Sequence, residues 1–340
     1  MKRKVVYCVV VVGLMFLAVF TLDFSEVFVA FRQVPLWLVF VLLGMQVVTQ
    51  LLINFQWFKI ASFFGLAISF WQMQKVNCQG VIIDAITPGV KVGGEVTRAM
   101  RLKKVANCSL SQASSIVVLQ KFLSLNALFL ILSFSFAYFI GAGSWTFAAG
   151  LQLLIYGISV LFLVASAGIF LFCDRLSLYF AKKSESRWSF LVRVRGMLCF
   201  LLQQLLHLRQ DGWEWARLFL LSFFIWLFYP VKMYVLAVHF VPDIEFLFLT
   251  AIVFLAYMMA MLPIFPGGLG GFEGVMVGLF LMIGLDLGVA VVISVFFRFV
   301  TFWFVTLAGG IFLATVKVIN FTTVKRGGNF GEREDCRLYS

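Results

Sequence analysis

Charge is scarce in this chain. Of its 340 residues only 12% are Asp, Glu, Lys or Arg, against about 25% in an ordinary soluble domain. Hydrophobic residues make up 63%, and 42 positions are Phe. A soluble core cannot bury that much apolar surface, so a water-soluble globular domain is excluded. Acid is the scarcer sign: 15 Asp and Glu stand against 27 Lys and Arg, a net charge of +12. The bases lie mainly between apolar runs, with no clustered basic face on a folded module, which argues against nucleic acid as a partner. Only two His are present, His207 and His239, far apart in sequence. The six Cys (Cys8, Cys78, Cys108, Cys173, Cys199 and Cys336) are scattered with no C-x-x-C pair, which excludes a disulfide framework or a zinc site. No metal and no cofactor is expected.

What is abundant is uninterrupted apolar sequence. Runs of about 20 apolar residues are long enough to cross a hydrocarbon layer as helix. The N-terminus carries Lys2, Arg3 and Lys4, followed by an uncharged stretch over 5–22. No small-x-small cleavage pattern follows it, so it is expected to be a retained first helix with its N-terminus inside. A second span runs from Pro35 to Lys59. The mixed stretch 60–87 is too polar to cross alone and suits an interfacial or re-entrant element. Further spans are expected from Lys121 to Gly141, from Trp145 to Phe172, over 218–240, over 246–263, and in a last run from Leu287 to Val316 that contains Arg298. The segment 173–217 is the most basic part of the chain and is assigned to the cytoplasmic side, with a surface helix or a plain linker as the two readings of its 188–208 portion. The polar tail 321–340, with Lys325, Arg326, Arg333 and Arg337, is placed inside as well. The expectation is an all-α polytopic protein of the cytoplasmic (inner) membrane, with both termini cytoplasmic. It has six to eight transmembrane helices and two Pro/Gly-broken or re-entrant segments within one domain over 1–320.

Proline is rare, at six residues, and its placement reveals an internal repeat. Pro88-Gly-Val-Lys-Val-Gly-Gly-Glu95 and Pro266-Gly-Gly-Leu-Gly-Gly-Phe-Glu273 share Pro, Gly, Gly and Glu at the same offsets, 178 residues apart. The same shift carries Arg298 to Gln120, next to Lys121. Proline removes a backbone donor and glycine admits positive φ, so a helix stops there. Backbone interrupted at membrane depth must find partners in protein or in a water-filled cavity. A helix restarting after the break presents unpaired N–H groups that favour anions such as phosphate. Paired interruptions in two halves point to a transporter's central site. Candidate site residues are therefore Pro88, Gly89, Lys91, Gly93, Glu95 and Arg98 in the first half, and Pro266, Gly267, Gly268, Gly270, Glu273 and Arg298 in the second. Each Glu is a simple first-turn cap on one reading and, on the other, a partner for a buried Arg that exchanges protons or partners during transport, with Glu273 the expected partner of Arg298. Lys232, near Pro230, is expected to snorkel.

The stretches from Thr87 to Arg98 and from Leu262 to Glu273, with Arg298 and Gly309-Gly310, resemble the lysylphosphatidylglycerol synthase transmembrane family. This is the flippase-like domain of the multiple peptide resistance factor and of many stand-alone bacterial and archaeal proteins. The resemblance covers essentially the whole chain. It implies a domain that moves a lipid or lipid-linked headgroup between leaflets, with an anionic phospholipid or a polyprenyl-phosphate carrier as partner. This sequence departs from the family in having Gln120-Lys121 where the family often has a Glu-Arg pair. Nothing large and polar follows residue 320, so lysyl transfer is not expected. Two other classes stay open. One is a membrane enzyme built on Asp84 and Glu95. The other is a non-transporting subunit, in a homo-oligomer or an envelope-synthesis complex, docking through 173–217.

Overall fold

A computed structural model describes residues 29, 32–87, 92–142, 149–182, 189–262 and 268–335, with side-chain surroundings given as far as residue 319 except within 180–195 and at a few neighbouring positions. The expected first helix over 5–22 lies outside the described residues, as do Pro88, Gly89, Lys91, Pro266 and Gly267.

The described residues are helical throughout, with no strand. In chain order the helices are α1 (Leu36–Phe63), α2 (Phe70–Ile86), α3 (Val92–Val105), α4 (Leu110–Ala142), α5 (Ala149–Leu171) and α6 (Cys173–Lys182). They continue with α7 (Ser189–Gln210), α8 (Gly212–Ala237), α9 (Phe246–Met261), α10 (Gly271–Met282), α11 (Leu287–Arg298), a π-helical turn (Phe299–Trp303) and α12 (Phe304–Asp335). Among the described residues, five helical segments are long and apolar enough to cross a membrane: α1, α4, α5, α8 and the continuous run Leu287–Ile319. The chain is a polytopic all-α membrane protein.

Local chemistry explains several boundaries. Ser69 and Gln72 form a reciprocal capping box at the start of α2, with Ser69 Oγ accepting from the Gln72 N–H (3.2 Å) and Gln72 Oε1 accepting from the Ser69 N–H (2.9 Å). Ser109 and Gln112 make the same box at 3.1 and 3.0 Å, which starts α4 eleven residues before the expected Lys121. Such a box satisfies two of the donors that a helix start leaves orphaned. The stretch 246–263, expected to span, is instead α9, of 16 residues. At 1.5 Å per residue that is about 24 Å, short of the hydrocarbon thickness. Residues 189–208 lie in α7, whose Leu202, Leu205 and Leu208 are buried in a core shared with α2, α3 and α4. This part of the segment is therefore helical and packed on its neighbours.

Short helices pair into hairpins. In the first half, α3 folds back on α2, bringing Asp84 against Gly94 and Gly80 against Arg98. In the second, α10 folds back on α9, bringing Ala260 against Gly268 and Tyr257 against Phe272. Each of the four helices has 12 to 17 residues, about 18–26 Å, shorter than the hydrocarbon layer.

The 178-residue shift noted in the Pro-Gly motif extends to the architecture. It carries α1 onto α8, α2 onto α9, α3 onto α10, and α4 onto the run from α11 to α12, with ends agreeing within about five residues except at the C-terminal end, where α12 runs on to Asp335. Contacts repeat as well: α2 packs on α12 as α9 packs on α4. The two halves are inverted. Lys232 of α8 meets Gln46 and Thr49 of α1, while Ser222 of α8 meets Gln56 of α1. Ascending one helix descends the other, so α1 and α8 run antiparallel.

Candidate functional site

The first hairpin carries a four-charge cluster. Arg98 of α3 reaches back to Asp84 of α2, Nη1 to Oδ2, at 3.1 Å, and the same nitrogen lies 3.2 Å from Glu95 Oε1. Lys121 of α4 adds its ammonium to Glu95 Oε1 at 2.8 Å. Asp84 Oδ1 accepts the Gly94 N–H at 2.9 Å, one of the donors exposed by the restart of α3. This carboxylate thus pins the hairpin rather than standing ready as an acid or base. The close approach requires Gly94, since a Cβ there would overlap the Asp84 carboxyl group. Gly93 likewise faces Thr87. Asp84 and Arg98 are both buried, and Trp57 lies 5.9 Å beneath the guanidinium. A charge pair in such a place is tolerable because each member finds the other and further hydrogen bonds. One acceptor stays open: Glu95 Oε2 is buried without a hydrogen-bond partner.

The second hairpin carries the inverted counterpart. Glu273, at the place of Glu95 in the repeat, faces Arg298 Nε at 3.3 Å. The nitrogen sits at ion-pair distance outside hydrogen-bond geometry, so the attraction through that atom is Coulombic. Arg298 is 4% exposed, and its guanidinium lies between the rings of Phe272 (4.6 Å) and Phe302 (4.3 Å). Cation–π contacts of this kind compensate part of the desolvation of a buried cation. Glu273 also accepts the Gly270 N–H on Oε2 at 2.7 Å, so it caps α10 and pairs with Arg298 at once. Gly270 has φ +80° and Gly268 φ +71°, a left-handed backbone that favours glycine. The cap and the ion pair of Glu273 thus coexist, whereas the partners of Glu95 among the described residues are the side chains of Arg98 and Lys121.

Between the halves lies a cavity of about 170 Å³. Asp84, Glu95, Arg98 and Lys121 form its charged side. Gln50 and Gln56 of α1, Gln120 of α4 and Ser222 of α8 add uncharged polar groups, and Trp226, Tyr229, Tyr257 and Phe302 close the far side as an aromatic wall. The glutamines are tied together: Gln120 donates to Gln56 Oε1 at 3.3 Å, and Gln56 donates to Ser222. The second charged pair stands behind the wall. Phe302 faces the cavity and also stacks on Arg298, and the Tyr257 ring is 5.1 Å from Phe272.

Of the expected residues, the structure brings Gly93, Glu95 and Arg98 to one hairpin and Gly268, Gly270, Glu273 and Arg298 to the other. Glu95 and Arg98 line the cavity, while Glu273 and Arg298 sit one aromatic layer away. Two expectations change. Lys232 does not snorkel. It is wholly buried, bonded to Gln46 and to Thr49 Oγ1 (3.1 Å) and lying 4.3 Å from the Tyr229 ring. Polar acceptors on α1 hold it inward where a lipid-facing lysine would extend to the interface. The basic partner of Glu95 on α4 is Lys121 itself, while Gln120 at the shifted position turns to Gln56. The glutamines of α1 were missed. Their signal was present as Gln46, Gln50 and Gln56 inside an otherwise apolar run.

A family model described as lysylphosphatidylglycerol synthase TM region matches residues 5–309. Among curated proteins, a UPF0104 membrane protein of Pyrococcus horikoshii is 26% identical over 249 residues, 68% of this chain and 73% of its own. A UPF0104 membrane protein of Methanothermobacter thermautotrophicus is 24% identical over 248 residues, covering 68% and 71%. One from Methanocaldococcus jannaschii is 23% identical over 284 residues, covering 80% and 83%.

Proposed function

The chain belongs to the lysylphosphatidylglycerol synthase transmembrane family, and from that premise we propose that it moves a phosphate-bearing lipid, or a lipid-linked carrier, between the leaflets of a cytoplasmic membrane. The observation that carries this reading is the polar cavity held at the meeting of two inverted halves, each with a helical hairpin and a buried acid–base pair. Inverted repeats with interrupted helices are the usual build of a protein that exposes one site to alternate sides. In the proposed cycle Lys121, partly exposed in the cavity, meets the phosphate. The open Oε2 of Glu95 accepts a hydroxyl or ammonium proton from the same headgroup. The aromatic wall separates this occupied side from the Glu273–Arg298 side. Movement of the wall passes the headgroup across.

The basic segment 173–217 supports a sidedness for this reading. Lys and Arg concentrate in cytoplasmic loops, so in the proposed cycle α6 and α7 face the cytoplasm, the first hairpin faces that side and the second faces the opposite one.

The test is reconstitution in vesicles carrying a headgroup-labelled phosphatidylglycerol, with dithionite bleaching of the outer leaflet. The wild-type chain is expected to make the inner pool accessible within minutes, and Lys121→Ala and Glu95→Gln to slow this at least tenfold while still inserting. Bleaching kinetics equal to protein-free vesicles, or equal in both variants and wild type, overturn the reading.

A further inference from the structure

A second cavity, of about 250 Å³, adjoins the polar one. It lies between α1, α2 and α12, and shares with the polar cavity Gln50, Ile53, Trp57, Val81, Arg98 and Val305. Its lining is mainly apolar, and at its outer edge Val47, Leu51 and Trp71 are 45%, 44% and 62% exposed on the face that a bilayer covers. Two polar atoms are stranded beside it. Asn77, itself buried, donates to Asn54 Oδ1 at 2.9 Å but leaves its own carbonyl oxygen without a partner, and Gln74 Oε1 is likewise unsatisfied. Buried acceptors of this kind cost free energy unless something donates to them.

The inverted repeat supplies an internal control. Adding 178 carries Trp71, Gln74 and Cys78 of α2 to Leu249, Ile252 and Ala256 of α9, all of which are buried in one continuous hydrophobic core. The same stretch of helix is thus core in one half and borders a cavity in the other. The difference lies in side chains: polar groups on α2 where α9 has aliphatic ones. The void is a property of these residues and not of the architecture.

We propose that this slot is a lateral doorway that holds one acyl chain of a phospholipid whose headgroup occupies the polar cavity. This rests on the reading of the polar cavity as a headgroup site and adds that the substrate is taken from within the bilayer rather than from water. An apolar channel running from the lipid-facing surface to a charged chamber suits an amphiphile, with its chain in the former and its phosphate in the latter. A free phosphate or a soluble headgroup has no use for the outer half.

The test is photolabelling of the reconstituted full chain with phosphatidylglycerol bearing a diazirine midway along one acyl chain, followed by peptide mass spectrometry. Labels are expected on Val47, Leu51 or Phe312, and are expected to fall at least fivefold in Gly309→Ile, which puts a branched side chain into the slot lining, and in Val47→Trp, which covers the mouth from the lipid side. Labelling spread evenly over lipid-facing helices, or unchanged in both variants, overturns the proposal. Should Gly309→Ile fail to fold, Cys78 of the wild-type chain gives an independent measure, since it lines the slot. Its alkylation by N-ethylmaleimide in detergent is expected to slow at least fivefold on adding phosphatidylglycerol and to be unaffected by glycerophosphoglycerol. Equal rates with and without the lipid overturn the proposal. Photolabelling measures occupancy rather than movement, so a vesicle assay showing no translocation refutes transport while leaving the doorway standing.

Discussion

Lys121 on α4 meets Glu95 on α3 at 2.8 Å, and the inverted half repeats the arrangement with Arg298 and Glu273 at 3.3 Å. The two pairs differ in surroundings. Lys121 is partly exposed to the polar cavity, whereas Arg298 is shut between two phenylalanine rings. One charge is available to a ligand and the other is held in store.

That difference predicts distinct responses to conservative change. Lys121→Arg keeps a cation in an open site and is expected to retain at least half of lipid movement in vesicles. Arg298→Lys loses the planar face that stacks on Phe272 and Phe302, and is expected to lower the thermal midpoint in detergent by several degrees. Equal midpoints for Arg298→Lys and wild type would count against the aromatic clamp.

Full removal of the buried cation is a larger insult. Arg298→Met leaves Glu273 without its partner in an apolar setting, where breaking a pair costs about 3–5 kcal/mol. Arg298→Met combined with Glu273→Gln is expected to recover much of that loss. Thermal unfolding followed by size-exclusion chromatography reads both, and a double variant no better than the single one would refute the pairing as a source of stability.

Glycines in the hairpins separate by what they face. Gly94→Ala would drive a methyl group into the Asp84 carboxyl and displace it from Arg98 and from the Gly94 N–H, so sharply reduced yield of monodisperse protein is expected. Gly274 on α10 faces open space. Gly274→Ala is expected to be neutral or to stabilise by about 0.5–1 kcal/mol through helix propensity.

Orientation of the two halves is open to direct chemical test. In a background with the six native cysteines replaced, a Gln56→Cys and Ser222→Cys pair is expected to crosslink readily, and a Gln56→Cys and Lys232→Cys pair not at all. The reverse pattern would mean that α1 and α8 run parallel.

The buried Lys232 gives a coupling prediction. Lys232→Met and Gln46→Leu remove opposite ends of one contact on α8 and α1. A double-mutant cycle is expected to return about 0.5–3 kcal/mol of interaction, as for residues in one hydrogen-bond network, and additivity would show that the lysine is held by packing alone.

Much of this arrangement was legible before any coordinates. Scarce charge and long apolar runs fixed the class, and a shared Pro-Gly-Glu spacing exposed the repeat because breaks at matching places are visible in one dimension. The pairing of Glu273 with Arg298 followed from the cost of an intramembrane charge. What escaped was whatever depends on a second helix. Asp84 finds Arg98 only after α3 folds back, and the burial of Lys232 depends on where α1 brings Gln46 and Thr49. The cavity's glutamines were passed over because an uncharged polar residue in an apolar run gives a weak signal until its neighbours are known. The inverted sense of the halves has no marker in the motif at all; it emerged from which ends of α1 and α8 touch.

The π turn at Phe299–Trp303, directly after Arg298, sets the phase of everything beyond it. A π turn accommodates one extra residue, and one residue corresponds to about 100° of rotation about a helix axis. The bulge is therefore what aims Val305 at the chamber and Gly309 at Cys78 while Arg298, on the other side of it, keeps its grip on Glu273. Deleting a single residue from the bulge would straighten the helix and swing the hollow face of α12 out toward the acyl chains of the bilayer, disconnecting chamber from doorway without altering any residue that lines either one.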